Sequence, residues 1–133
     1  MFEYGAGSST LYWAERSKYV TSVERDRQWF DKVQAILPDN CTLAYVSVDQ
    51  DYVDHIKVSN KKFDIIVLDG AVRYPCAQAA IMSISDRGLI MLDNTEWYPE
   101  TAELLVSAGY TQIDFSGFPP LNSVTSTTSI FFK

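Results

Sequence analysis

Three short stretches of this 133-residue chain carry the residue types and spacings that do chemistry. The first is Glu3-Tyr4-Gly5-Ala6-Gly7-Ser8-Ser9-Thr10, where a Gly-x-Gly turn follows an apolar run and opens a segment of helical pattern. Glycine lets backbone approach a ligand closely at such a place, although tight strand-to-helix turns also use it for geometry alone. The second is Glu24, which ends the run Val20-Thr21-Ser22-Val23 and lies 19 residues after Gly5. A carboxylate about 20 residues beyond such a turn is placed to accept both hydroxyls of a nucleotide ribose. A solvated strand-end glutamate is the plainer alternative. The third is a pair of run ends, Val67-Leu68-Asp69-Gly70 and Met91-Leu92-Asp93-Asn94, which together offer two carboxylates and an amide.

The elements that must position these residues are short β-rich runs alternating with helical segments. The runs are 1–4, 19–23, 42–48, 63–68, 88–92, 110–115 and 129–132; helical patterns cover 9–17, 26–37, 51–58, 74–84 and 99–108. Alternation of this kind predicts an α/β fold, and the unbroken Ile65-Ile66-Val67-Leu68 predicts a parallel strand covered on both faces. Residues 116–128 are rich in Gly, Pro, Ser and Thr and show no helical period. A parallel neighbour would need a crossover of a dozen or more residues, usually helical, so the last strand is predicted antiparallel. In open α/β sheets ligands bind at the carboxyl edge, where all three stretches fall.

Composition narrows the function classes. Apolar residues make up 47% and aromatics 14%, which excludes disorder, and one domain spanning 1–133 is expected. A net charge of −6 with no basic cluster predicts no nucleic-acid partner. No apolar run approaches the roughly 18 residues that span a bilayer, and no secretory leader pattern precedes residue 20, so no membrane role is expected. Cys41 and Cys76 each stand in an apolar run, which suits free thiols in a reduced, cytoplasmic setting.

Thr10 stands where a dinucleotide-binding turn has its third glycine, and Glu3 lies two positions before Gly5. The pattern Glu-x-Gly-x-Gly-Ser, with Ser22-Val23-Glu24-Arg25-Asp26 and an antiparallel last strand, resembles the class I S-adenosylmethionine-dependent methyltransferases over nearly the whole chain. The resemblance implies a three-layer Rossmann-like fold with a seven-stranded, mostly parallel sheet in the order 3-2-1-4-5-7-6 and helices on both faces. Many members place a helical extension before the first strand, so this chain reads as a small member with a short or truncated N-terminus. An uncovered apolar surface there would favour a homo-oligomer.

The resemblance also implies roles. Glu3, Gly5 and Gly7 would hold the amino-acid end of S-adenosylmethionine, with Ala6, Ser8, Ser9 and Thr10 along the turn and Glu24 on the ribose. Asp49 and Gln50 would meet the adenine, with Asp51 as an alternative reader, and Asp69 and Gly70 would complete the cofactor site. Asp69 and Asp93 are the catalytic candidates, and Arg73 and Asn94 would face a small-molecule methyl acceptor. Asp69, Asp93 and Asn94 match the metal ligands of the divalent-metal-dependent O-methyltransferases of the catechol and caffeoyl-ester type, a set that suits Mg²⁺. The chain departs from that branch at Gly70-Ala71-Val72-Arg73, which supplies no lysine as general base. Two versions therefore stand open, a Mg²⁺ site and a metal-free polar pocket. Trp97, Tyr98, Phe118, Pro119 and Pro120 are candidate pocket walls, Cys76 a core residue and His55 a surface one.

The expected function is methyl transfer from S-adenosylmethionine to an oxygen or nitrogen of a small molecule. A cofactor-binding domain without independent catalysis and an NAD-dependent oxidoreductase are the alternatives, the latter disfavoured by Glu3 and Thr10.

Overall fold

The structure is a computed structural model that describes residues 1–119 and 123–133. In chain order the elements are β1 (Phe2–Tyr4), α1 (Ser8–Ala14), β2 (Val20–Glu24), α2 (Arg27–Gln34), β3 (Cys41–Tyr45) and α3 (Asp49–Asp54), which runs into a 3-10 turn at His55–Lys57. There follow β4 (Phe63–Leu68), α4 (Arg73–Ser83), β5 (Ile84–Leu92), a second 3-10 turn at Thr95–Trp97, α5 (Pro99–Ser107), β6 (Thr111–Gly117) and β7 (Ser126–Phe132). The strands form a seven-stranded sheet in the order β3-β2-β1-β4-β5-β7-β6. The pairs from β3 through β5 are parallel, and β7 runs antiparallel to both β5 and β6. Order and direction both match the sequence expectation.

Register positions the site. Tyr4 lies opposite Val23 on one side and Leu68 on the other, and Leu68 lies opposite Leu92. Each of these residues is fully buried. The next residue or two of each strand, Gly5, Glu24, Asp69 and Asp93, therefore leave the sheet side by side. Beneath them Phe2, Tyr4, Ile66, Leu68, Ile90 and Leu92 pack with Cys76, Ala77 and Ala80 of α4. The small residues of α4 let that helix lie close to the sheet. Asp26 caps α2 by accepting from the Trp29 backbone N–H at 2.7 Å, and Pro99 opens α5.

Two boundaries depart from expectation. β5 begins at Ile84, directly after α4, rather than at Gly88. Ile84 pairs with Phe63, and pairing resumes only at Leu89 with Ile65, so residues 85–88 form an irregularity. A Cβ on Gly88 would stand 2.7 Å from the Ile84 side chain and 3.0 Å from the Asp64 carbonyl oxygen, so only glycine fits this kink. The Ser/Thr-rich stretch is also partly strand, since β6 runs to Gly117 and β7 starts at Ser126. β-Branched threonines pair well even where little apolar surface is buried. His55 is half-buried against Phe2, with ring centroids 6.5 Å apart, rather than on the open surface. No helix among the described residues is long and apolar enough to cross a membrane.

Candidate functional site

The glycine turn is braced from below by Glu3. This glutamate is fully buried, and its carboxylate accepts hydroxyl hydrogens from Ser9 at 2.6 Å, Thr10 at 2.6 Å and Ser22 at 2.8 Å. Burial pushes its carboxyl above the usual range while the three hydroxyls pull the other way. Thr10 Oγ1 also accepts from the Gly7 N–H at 2.9 Å, which ties β1, β2 and the start of α1 into one knot. Glu3 and Thr10 therefore lie beneath the turn and hold its shape.

Gly5 and Gly7 do different work. Gly5 has φ +87°, and a Cβ there would stand 2.9 Å from the Gly70 Cα. Gly5 and Gly70 thus let two turns touch backbone to backbone. Gly7 is extended, with φ 179°, and a Cβ on it would meet only the Trp29 ring at 3.6 Å.

Glu24 closes the other side of the turn. One carboxylate oxygen accepts the backbone N–H groups of Arg25 and Asp26 at 2.7 Å each, and the other accepts that of Ala6 at 3.1 Å. Trp29 donates its indole N–H to the Ala6 carbonyl. Together with residues 5–9, Asp69 and Gly70, Glu24 and Trp29 wall a cleft of about 480 Å³. Trp29 went unnoticed in the sequence. Its signal there is a large aromatic three residues after an N-cap, in the helix that follows the acidic strand end.

Asp49 and Gln50 do not reach this cleft. Asp49 pairs with Arg25 at 2.7 Å and Gln50 donates to Asp54 at 2.7 Å, and Asp51 is exposed. All three sit in the first turn of α3, which starts two residues earlier than its sequence pattern predicts.

Asp69 and Asp93 do converge, and Arg73 converges with them. The Arg73 side chain is only 7% exposed. Its Nη2 donates to Asp69 Oδ1 at 3.1 Å, its Nε to the Gly70 carbonyl at 3.0 Å, and its Nη1 to the Asp93 carbonyl and, at 3.5 Å, to the Asn94 amide oxygen. The guanidinium also lies over the Tyr98 ring, 4.4 Å from its centroid. Asp93 Oδ1 accepts the Thr128 hydroxyl. One oxygen of each residue in the expected Mg²⁺ ligand set is engaged within the chain: Asp69 Oδ1 and Asn94 Oδ1 accept from the Arg73 guanidinium, and Asp93 Oδ1 accepts from Thr128. Among the described residues no group of three or more His, Cys, Asp or Glu is arranged to hold a metal. With all but one of its five N–H donors engaged, Arg73 is an organiser of this cluster rather than a free anion receptor.

Backbone strain marks the same spot. Val72 and Asn94 flank the cluster with φ 43° and φ 50°. A β-branched residue in the left-handed region costs on the order of 1–3 kcal/mol and persists only where its surroundings dictate it. Cys76 is fully buried beneath, and burial pushes its thiol up to about 12, so it is inert.

Burial and the neighbouring Asp93 carboxylate push Asp69 up to about 7, against the pull of Arg73. A carboxyl raised in the folded state contributes its full stability below the unfolded pKa of about 4, and that contribution is lost as pH rises through about 7. The melting temperature is therefore expected to fall between about pH 4 and pH 7. The Asp69 side chain is 40% exposed, so solvent screening reduces the effect and Asp69→Asn should flatten that slope by only ~4 °C, about 1 kcal/mol for a chain of this size. His55, lowered by burial, acts in the opposite sense in both proteins, so the comparison cancels it. Thermal unfolding across pH is the measurement, and an unaltered slope in the variant removes Asp69 as its source.

Beyond Asp93 lies a second cleft, of about 540 Å³. Trp97, Phe118 and Pro119 wall it as the sequence suggested; Pro120 lies outside the described residues, and Tyr98 faces Arg73 instead. Phe115 and Gly117 of β6 and Ser126 and Thr128 of β7 complete it, none of which the sequence singled out. Strand alternation explains the set, because Phe115 pairs with Thr128 and Gly117 with Ser126 on one face while Asp114 and Ser129 meet on the other.

No protein-family model matches the chain, and no curated protein matches it in sequence. Solved structures do match in fold. The O-methyltransferase TomG from Streptomyces achromogenes, in complex with SAM, superposes with a TM-score of 0.80 at 11% identity, over 98% of this chain and 71% of that one. Spermidine synthase from Thermotoga maritima gives 0.74 at 14% identity, over 99% and 52%. The N-methyltransferase NodS from Bradyrhizobium japonicum WM9 gives 0.69 at 13% identity, over 99% and 84%. In its sheet order and its antiparallel last strand, the chain has the fold of the class I S-adenosylmethionine-dependent methyltransferases.

Proposed function

We propose that the protein binds S-adenosylmethionine in the cleft at the glycine turn and transfers its methyl group to an oxygen or nitrogen of a small molecule. The observation that carries this reading is the cleft itself, which brings a strand-end carboxylate, an aromatic face and a second carboxylate to one backbone turn. The residues present fit the cofactor. Glu24 Oε2 accepts a single N–H and so keeps acceptor capacity for a ribose hydroxyl, and Trp29 offers an apolar surface. Among fold neighbours, TomG is a SAM complex, which supports the same ligand here.

Bound there, the sulfonium would supply the methyl group by direct displacement. The chain's own part is alignment and proton control. Asp69 lies on the cleft wall with a carboxyl held near neutrality, where it suits accepting a proton from the nucleophile. Arg73 fixes the position of that carboxylate from below.

Thermal unfolding with S-adenosylhomocysteine tests the reading. At about a hundred times its dissociation constant the ligand should stabilise by about 2.7 kcal/mol. Glu24 is a poor probe, because its removal also strands three backbone N–H groups. Gly7→Ala is cleaner: its backbone is extended, so its melting temperature should match the wild type or rise slightly, while the added methyl weakens ligand binding by about tenfold. No stabilisation of the wild type at millimolar ligand, with NAD giving one, would sink the proposal.

A further inference from the structure

The second cleft, beyond Asp93, has a composition that selects its ligand. Its volume of about 540 Å³ lies within the range of small-molecule sites. Three aromatic side chains stand largely exposed along it, Trp97 at 70%, Phe115 at 58% and Phe118 at 73%. Grouped exposed aromatics of this kind mark a contact surface rather than a packing remnant. Among the described residues, Asp93 is the only charged side chain on its wall.

The surroundings reinforce that charge. From Gly88 to Phe132 the sequence contains Asp93, Glu96, Glu100, Glu103 and Asp114 and not one Lys, Arg or His. Arg73 contacts Asp93 and Asn94 on the cleft wall, and its guanidinium is buried and engaged with Asp69, Asp93, Asn94, Gly70 and Tyr98. An anionic ligand would therefore meet a carboxylate with no counter-charge free to receive it. A neutral aromatic would fill the walls and leave Asp93 unanswered. A protonated amine on an aromatic body answers both features, through an ion pair to Asp93 and cation–π contact with the ring faces. The cleft also adjoins the cofactor cleft, because Asp69 on one wall and Asp93 on the other directly follow Leu68 and Leu92, which lie opposite each other on adjacent strands.

We infer that the cleft bounded by Asp93, Trp97, Phe115 and Phe118 binds small arylalkylamines in their protonated form, as the acceptor substrates of the methyl transfer proposed above, on which the word substrate rests.

Calorimetry at neutral pH with three isosteric probes tests this: tryptamine, the neutral tryptophol and the anionic indole-3-propionate. Tryptamine should bind the wild type at least about tenfold tighter than either, a difference of about 1.4 kcal/mol. Asp93→Asn should bring tryptamine and tryptophol to the same affinity. Gly117→Val supplies a second variant, since Gly117 lines the cleft, has no positive φ, and a Cβ there meets nothing within 4 Å. It should keep the wild-type melting temperature and lose tryptamine binding by at least about tenfold. Equal affinity for the three probes, preference for the anion, or no binding of tryptamine at millimolar concentration overturns the assignment. The arms separate the two readings. Tryptamine binding without S-adenosylhomocysteine binding leaves the amine site and removes the methyltransferase function; the reverse removes the amine site alone.

Discussion

Arg73→Ala is expected to destabilise the protein by about 2–3 kcal/mol, the cost of leaving partly buried acceptors without their charged donor, which corresponds to ~10 °C in melting temperature. The side chain is 7% exposed and ties the turn after β4 to the turn after β5. It donates to the Asp69 carboxylate after β4, to the Gly70 carbonyl beside it, and to Asp93 and Asn94 after β5. Without it the two carboxylates face each other with no compensating charge, and the Tyr98 ring loses its partner. Arg73→Lys should recover less than half of the loss, because an ammonium is a point charge without the planar fork that reaches several acceptors at once. The same geometry predicts that Mg²⁺ leaves the wild-type melting temperature unmoved, since a guanidinium already neutralises the position. Thermal unfolding in the presence and absence of Mg²⁺ reads all three outcomes. A loss under about 1 kcal/mol for Arg73→Ala would show that the cluster does not depend on its cation.

Gly5→Ala should be more severe, at about 3–5 kcal/mol. The left-handed backbone at φ +87° costs a non-glycine residue about 1–3 kcal/mol, and overpacking adds a similar amount. The added Cβ would meet the Gly70 Cα at 2.9 Å and the Asp69 carbonyl group at 3.0 Å. These are backbone atoms of the neighbouring strand end, which cannot swing aside as a side chain would. The contrast with Gly7→Ala is the informative measurement. If both variants unfold together, the turn is purely structural; if only Gly5→Ala unfolds, the two glycines of one motif serve folding and binding separately.

Much of the architecture was legible before any coordinates. The unbroken apolar run of β4, the alternation of runs with helical segments and the absence of a crossover before β7 together specify a doubly wound sheet with an antiparallel last strand. Each is a local signal, since strand burial and loop length are written in consecutive residues. The carboxyl edge followed, and with it the convergence of Gly5, Glu24, Asp69 and Asp93. Where the reading was incomplete, the missing term was a contact between distant residues. Ile84 belongs to a strand because it pairs with Phe63, although the sequence pattern made it the last residue of the preceding helical segment.

The chemistry at the site divides the same way. The sequence by itself determined which residue types reach the sheet edge, because a strand's last residue and the turn after it are consecutive in the chain. It did not determine which of them face a ligand and which face one another. Glu3 turned inward to three hydroxyls because Ser22 of the adjacent strand lies beneath it. Asp69 and Asn94 turned to Arg73 because α4 begins at that residue and carries its side chain under both turns. Trp29 reached the glycine turn from 23 positions further along the chain. A carboxylate has the same identity whether it meets a metal, a hydroxyl or a guanidinium. Which partner it finds is settled by packing in three dimensions, where the lowest free energy belongs to the arrangement that leaves the fewest buried polar groups unpaired.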